Sequence, residues 1–93
     1  MQDQTVYYLV HTESGRRIRY YRTLAGAHIG LRLRNRNLGF VNRVQLEHNE
    51  DLGTTHELYL VNNELVRGTY SIQEDHIESV LDELLDDLLD DPA

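Results

Sequence analysis

Apolar and polar residues alternate through the first quarter of the chain in the pattern of a half-buried β-hairpin. Residues 5–11, TVYYLVH, are rich in β-branched and aromatic side chains and predict a strand. Ser14 and Gly15 supply a turn, and residues 17–22, RIRYYR, predict the return strand. With a period of two residues, the side chains that we expect to face a common core are Val6, Tyr8, Val10, Ile18 and Tyr20.

Residues 28–37, HIGLRLRNRN, fit two different secondary structures. As a strand they would alternate leucine and isoleucine on one face with a ladder of arginines on the other. Placed at 100° intervals, residues 24–36 instead gather most of their apolar side chains and both glycines on one side of a cylinder, and Arg34 interrupts that arc. The second arrangement favours a helix.

The flanking residues support this helix. Thr23 fits an N-cap, and Gly39 follows the last predicted turn. We therefore predict a helix over residues 24–37 that lays Gly26 and Gly30 on the sheet. An outward basic strip would be formed by His28, Arg32 and Arg36.

Three more strands are predicted in the second half of the chain. Residues 40–48 alternate Phe40, Val44 and Leu46 with polar positions, and residues 49–55 form a loop. Residues 56–61 and 64–70 flank Asn62-Asn63, a pair that tolerates the left-handed backbone region and predicts a tight hairpin.

The last 23 residues predict an amphipathic helix. Ser71 and Glu74 have the spacing of a capping box. Apolar residues recur at helical spacing. Acidic residues four positions apart form columns on the helix surface and repel one another, and their charges also interact unfavourably with the helix dipole. Such a helix needs a surface to pack on. The residues that we expect to bind a partner are Ile77, Leu81, Leu84, Leu85, Leu88, Asp82, Asp86 and Asp87.

Together these elements predict an α+β fold with the order β-β-α-β-β-β-α. An antiparallel sheet would be packed by one central helix, with the C-terminal amphipathic acidic helix added to it. We expect one domain over residues 1–93, with the α+β core in residues 1–70 and the acidic helix in residues 71–93.

Charge is divided unevenly along the chain. Residues 1–45 carry a net charge of +6 and residues 46–93 a net charge of −13, and all nine basic residues are arginine. Such asymmetry suggests that the halves meet each other or partners of opposite charge. The chain has no signal-peptide pattern, no apolar run of membrane-spanning length and no cysteine. We therefore expect a cytoplasmic protein without disulfides or thiolate metal sites.

Arginines interleaved with tyrosines in GRRIRYYR provide a candidate nucleic-acid-binding surface, since arginine binds phosphates and tyrosine stacks on bases. The overall charge of −7 argues against this interpretation. The acidic columns of the C-terminal helix could instead imitate a phosphate backbone and inhibit a nucleic-acid-binding enzyme. The candidate nucleic-acid-binding residues are Arg16, Arg17, Arg19, Arg22, Arg32 and Arg36.

We find no pattern typical of catalysis or of cofactor binding. The chain lacks a glycine-rich phosphate loop and an evident Ser/His/Asp group, and its histidines lack metal-ligand spacing. A fortuitous metal site would need the residues that flank one loop, His48, Glu50, Asp51 and His56. We predict neither an enzyme, nor a resident metal, nor a cofactor.

The strand that ends in Tyr21, Arg22 and Thr23, followed by a helix with Ala25 and Ala27, resembles small uncharacterised bacteriophage proteins over about residues 5–37. The resemblance implies an accessory role directed at a host protein, in the host cytoplasm. It brings no active site, and the acidic C-terminal segment is not part of it.

These observations predict a small non-enzymatic protein-interaction module. Its partner would be a host protein or a second copy of the chain in a homodimer. Nucleic-acid binding through the hairpin and inhibition by acidic mimicry are the alternatives, and no membrane partner is expected.

Overall fold

The computed structural model describes residues 5–76, which form five strands and one helix. Every neighbouring strand pair is antiparallel, in one sheet of order β2-β1-β5-β4-β3. The α+β class and the antiparallel sheet packed by one helix are therefore confirmed. The elements are β1 (Thr5–His11), β2 (Arg17–Tyr21), α1 (Leu24–Asn37), β3 (Arg43–Asn49), β4 (Thr54–Val61) and β5 (Glu64–His76).

Two hairpin turns follow the local sequence. Gly15, between β1 and β2, has a φ of +72°, and Asn62 and Asn63, between β4 and β5, have φ values of 51° and 67°. Asparagine pays less than most residues for this left-handed conformation, and two such residues in succession match the twist of paired strands. The predicted Asn-Asn hairpin is confirmed.

The faces of the first hairpin were predicted only in part. Tyr8 pairs with Tyr20, and their ring centroids lie 5.4 Å apart. Ile18 instead packs on the opposite face of the sheet, against the cluster that contains Leu9. The register shifts between Leu9 and Val10, and this bulge breaks the strict alternation on which the prediction depended.

Helix α1 forms as predicted and packs on one face of the sheet, against β5, β1 and β2. The Thr23 hydroxyl accepts a hydrogen bond from the Gly26 amide at 3.1 Å, as an N-cap does. Gly30 lies so close to β2 that a Cβ there would overlap the Tyr21 hydroxyl. Further along α1, Ala27 and Leu31 pack on a fully buried cluster completed by Leu9 and Ile72.

Two residues of α1 lie on a different face from the predicted one. Leu33 was expected in the apolar arc but is 54% exposed, and Asn35 was expected on the polar side but is fully buried. Helix periodicity predicts that Leu33 is buried because its side chain is apolar. The orientation of α1 is set by contacts that Asn35 makes with the sheet.

The capping box predicted at Ser71 and Glu74 is wrong, because β5 continues through both residues to His76. This part of β5 pairs with β1 on one side and with β4 on the other, so its backbone groups are bonded to neighbouring strands. The start that we predicted for the C-terminal helix therefore falls within a central strand. Residues 77–93 of that prediction lie outside the described residues.

Candidate functional site

A buried carboxylate organises the polar interior between α1 and the sheet. Glu57 of β4 is fully buried and accepts hydrogen bonds from the Asn35 amide at 2.9 Å, the Tyr59 hydroxyl at 2.6 Å and the Arg43 guanidinium at 3.2 Å. Burying a carboxylate is costly unless such partners compensate for the lost water. Glu57 therefore acts as an anchor that positions three side chains from α1, β3 and β4.

Asn35 joins α1 to β5 as well as to Glu57. Its side-chain oxygen accepts a hydrogen bond from the Tyr70 backbone amide at 3.0 Å, and its side-chain nitrogen donates to the Tyr70 carbonyl at 3.3 Å. Gly68 makes room for this contact, because a Cβ there would lie 2.6 Å from the Asn35 nitrogen. These contacts thus hold the C-terminal half of α1 at a defined distance from the sheet.

Three arginines converge beside this anchor on a cleft of about 210 Å³. Arg32 and Arg36 come from successive turns of α1, and Arg43 comes from the first position of β3. The ion pair with Glu57 fixes Arg43, whose side chain is one-third exposed. We call this site the arginine cleft; it is lined by Arg32, Arg36, Phe40, Val41, Arg43 and Tyr59.

The floor of the arginine cleft is aromatic. The rings of Phe40 and Tyr59 lie 5.1 Å apart at an angle of 53°. Burial and the hydrogen bond to Glu57 raise the pKa of Tyr59 to about 12, so Tyr59 keeps its proton and donates to Glu57 at neutral pH. Three guanidinium groups line the cleft and Glu57 contacts one of them, so the cleft keeps an excess of positive charge.

Such a cleft suits an anionic ligand. Guanidinium groups are planar and donate in pairs to carboxylates and phosphates. The spacing of Arg32 and Arg36, one helical turn or about 6 Å, matches that of carboxylates four residues apart on a second helix. The C-terminal end of α1 contributes partial negative charge, which Arg34 and Arg36 in its last turn offset.

Apolar side chains border the arginine cleft on the solvent side. Ile29 and Leu33 of α1 are 64% and 54% exposed and share the outer helix face with Arg32 and Arg36. Val41, in the wall of the cleft, is 64% exposed. We call Ile29, Leu33 and Val41 the apolar rim. Apolar groups next to arginines are typical of surfaces that bind amphipathic ligands.

The predicted basic residues of the hairpin form a separate group. Arg17 lies over the ring of Tyr8 at 4.5 Å, on the sheet face opposite α1, whereas Arg19 lies 5.7 Å from the ring of Tyr21, on the α1 face. The hairpin therefore presents arginines to both faces rather than as one ladder. Arg32 and Arg36 lie instead with Arg43, toward the other edge of the sheet.

The sequence did not predict four polar residues of the site: Arg43, Glu57, Asn35 and Tyr59. One signal was present, since Glu57 is a charged residue inside the apolar run HELYLV, where an unpaired charge would be unfavourable. Its partners Asn35 and Arg43 lie 22 and 14 residues away, and no local spacing links them to it.

The remaining predicted sites are not brought together within residues 5–76. No group of three or more metal-ligating side chains converges in this part of the chain, and His48 is hydrogen-bonded to Thr55 at 2.8 Å. The predicted partner-binding residues from Ile77 to Leu88 lie outside the described residues.

In comparisons with known proteins, no family model matches the chain, and neither a curated protein nor a solved structure is significantly similar to it. Among the described residues, no helix combines the length and the apolar character that crossing a membrane requires.

Proposed function

We propose that this protein is a small non-enzymatic protein-interaction module whose arginine cleft binds an acidic segment of a partner protein. The observation that carries the proposal is the convergence of Arg32, Arg36 and Arg43, from two elements, on one cleft. The buried Glu57 holds one of these arginines before any ligand arrives. A preorganised guanidinium loses less side-chain entropy on binding than a free one.

The apolar rim favours an amphipathic helix as the ligand. Ile29 and Leu33 would contact its leucines, while Arg32 and Arg36 would contact its carboxylates. The chemistry of such a ligand is that of this protein's own residues 77–93, which contain seven acidic residues, no basic residue and a leucine stripe. A second copy of the chain and a host protein with a similar helix are therefore both candidate partners.

Single-stranded nucleic acid is the second candidate ligand. Phe40, which packs on the buried Tyr59, offers aromatic surface next to guanidinium groups, which is a combination found in single-strand binders. The charge of −7 opposes approach of a polyanion. The apolar rim is also of no use to a phosphate backbone, so we favour the acidic helix.

Fluorescence anisotropy with a labelled peptide tests the proposal. The probe is an 18-residue amphipathic helix with a leucine stripe and aspartates four residues apart; the control peptide carries asparagine in place of aspartate. We expect saturable binding of the acidic peptide alone. Arg36→Gln and Arg43→Gln should each weaken it about tenfold, the loss of one charge-assisted contact.

Arg16→Gln is the matched control, because Arg16 is exposed and lies outside the arginine cleft. It should change the affinity less than about twofold. Equal binding of the neutral peptide would overturn the proposal, as would equal losses in the Arg16 and Arg36 variants. Tighter binding of a 20-nucleotide single strand that depends on Arg36 and Arg43 would favour the nucleic-acid alternative.

A further inference from the structure

Strand β1 is apolar on both of its faces. Leu9 packs in the cluster under α1, whereas Val6, Tyr8 and Val10 alternate with it and face the other way. These three residues are only 3%, 5% and 8% exposed. We call this side the second face; among residues 5–76, no helix packs on it. A sheet with apolar side chains on both faces requires a layer on each.

We infer that residues 77–93 of the same chain form this second layer, as an amphipathic helix whose leucine stripe packs on Val6, Tyr8 and Val10. The point at which the chain leaves the sheet supports the inference. His76 ends β5 and pairs with Thr5, the first residue of β1, so the chain leaves the sheet at the end of the second face where Val6 lies. The other undescribed segment, residues 1–4, is too short to cover three side chains.

The length of the segment fits this face. A helix of residues 77–91 would be about 22 Å long at 1.5 Å per residue. Seven-residue β1 spans about 23 Å at 3.3 Å per residue. A helix that starts at this end of the second face can therefore run along the whole of β1. Its stripe, Ile77, Val80, Leu81, Leu84, Leu85 and Leu88, repeats at the spacing of one helix face.

Charge complementarity supports a helix that runs along β1 from the end at Val6 toward Val10. Val10 is about 17 Å from Thr5 along the strand, a distance that about eleven helical residues cover, so a helix from residue 77 would bring residue 88 level with Val10. Val10 pairs with Arg17, which lies on the second face over Tyr8. Asp86, Asp87 and the acids that follow would thus lie beside Arg16 and Arg17, while the leucines contact the sheet.

The outer face of α1 is the competing position, since Ile29 and Leu33 are exposed there. It lacks the connection at His76, and its apolar surface is narrower. If the leucine stripe packs on the second face, then the apolar rim and the arginine cleft stay open to an acidic helix of a host protein. The same segment of a second copy would be occupied by its own sheet, so the inference leaves the proposed function in place but excludes a second copy as its partner.

Disulfide scanning in the full chain tests the inference, because the natural sequence has no cysteine. Val10→Cys is combined in turn with Leu84→Cys, Leu85→Cys and Leu88→Cys. Ala25→Cys, on the exposed outer side of α1, replaces Val10→Cys in the matched control series. After mild oxidation, we expect an intrachain disulfide in at least one Val10 pair and in no Ala25 pair, identified by mass spectrometry.

Thiol labelling of the single variants gives a second readout that requires no cross-link. Val10→Cys should react with a maleimide about 100-fold more slowly than Ala25→Cys, because only transient opening of the second layer exposes it. Adding Leu84→Asp and Leu88→Asp should increase the labelling rate of Val10→Cys at least about tenfold. Adding Asp86→Asn and Asp90→Asn should leave it within about twofold.

Each other outcome overturns the inference. Intrachain disulfides to Ala25 would place the segment on α1, and interchain disulfides with protection that falls on dilution would assign the second layer to another copy. Labelling of Val10→Cys as fast as Ala25→Cys, in a chain whose circular dichroism is unchanged, would mean that no layer covers the second face.

Discussion

The two groups of arginines in this protein differ in how they are held. Arg16, Arg17, Arg19 and Arg22 are close in sequence, yet β2 directs Arg17 and Arg19 to opposite faces of the sheet. The arginines of the arginine cleft come from α1 and β3 but line a single cleft. The difference teaches that a cluster in sequence need not be a cluster in space. Convergence here depends on Glu57, a buried carboxylate that neither group contains.

The largest effect that we expect comes from removing this anchor. Glu57→Ala would leave the donors of Asn35, Tyr59 and Arg43 without their shared acceptor. We expect a loss of about 3–5 kcal/mol in the free energy of unfolding, measured by urea denaturation. Glu57→Gln keeps the shape and some of the hydrogen bonds and should lose less.

Glu47→Ala is the matched control, because Glu47 also pairs with an arginine, Arg67, but both side chains are about half exposed. We expect a loss below about 1 kcal/mol. Similar losses of unfolding free energy in the Glu57 and Glu47 variants would mean that burial of the Glu57 carboxylate does not increase its contribution to stability.

Alkaline pH should weaken the same anchor. The pKa of Tyr59 is raised to about 12 by burial and by Glu57, whereas an unfolded tyrosine has a pKa of 10.0. Between these values the folded state keeps a proton that the unfolded state loses, so stability falls as pH rises from 10 toward 12. The loss is on the order of 2 kcal/mol.

Tyr59→Phe should abolish this part of the alkaline loss while lowering stability at neutral pH. Urea denaturation of both proteins at intervals from pH 9 to pH 11.5 measures the difference. If the unfolding free energies of the two proteins change with pH in parallel, the pKa of Tyr59 does not differ between the folded and unfolded states.

A smaller effect concerns the space that Asn35 requires. Gly68→Ala would place a Cβ 2.6 Å from the Asn35 side-chain nitrogen, which is held by hydrogen bonds to Glu57 and Tyr70. We expect a loss of about 1–3 kcal/mol in the free energy of unfolding, and weaker binding at the arginine cleft as α1 shifts.

Gly30→Ala provides the comparison. Its Cβ would meet the Tyr21 hydroxyl and the ring carbon that carries it, at the far end of a half-buried side chain that can rotate. Alanine also favours a helix by about 1 kcal/mol over glycine. Its loss should be smaller than that of Gly68→Ala. The reverse order would show that α1 is positioned by Tyr21 rather than by Asn35.

The smallest effect involves Arg67, which belongs to neither arginine group. Burial, and then the charge of Arg67, lower the pKa of His56 below its usual value of 6.5. The unfolded state therefore binds this proton first, and stability falls as pH drops below 6.5. His56→Gln should make the curve of unfolding free energy between pH 7 and pH 5 flatter, and Arg67→Gln should flatten it less. An unchanged slope in the His56 variant would contradict this assignment.

Local patterns predicted the elements whose causes are local. The Asn62-Asn63 turn, the Thr23 cap and the helix over HIGLRLRNRN depend on residues within a few positions of each other, and all three are present. The exposed position of Arg32 and Arg36 also followed from helix periodicity. Half of the arginine cleft was therefore visible in the sequence as a basic strip.

The Ser71 capping box failed because its local spacing matches a helix start. Residues 71–76, SIQEDH, contain one apolar residue, Ile72, so no alternation of apolar and polar side chains predicts a strand there. Hydrogen bonds to β1 and β4 decide between helix and strand, and their partners lie far away in sequence. No local spacing contains that information.

By itself, the sequence determined the antiparallel α+β plan, the helix that carries Arg32 and Arg36, and the turns between strands, because backbone preferences and periodicity act over short distances. The tertiary structure alone decided which residues meet. Sheet pairing places β4 between β5 and β3, and α1 packs on β5, so that Asn35 of α1 and Arg43 of β3 both reach Glu57. A buried carboxylate must find donors wherever the fold places them. That requirement, which no single segment expresses, joins the exposed arginines of α1 to Arg43 in one cleft.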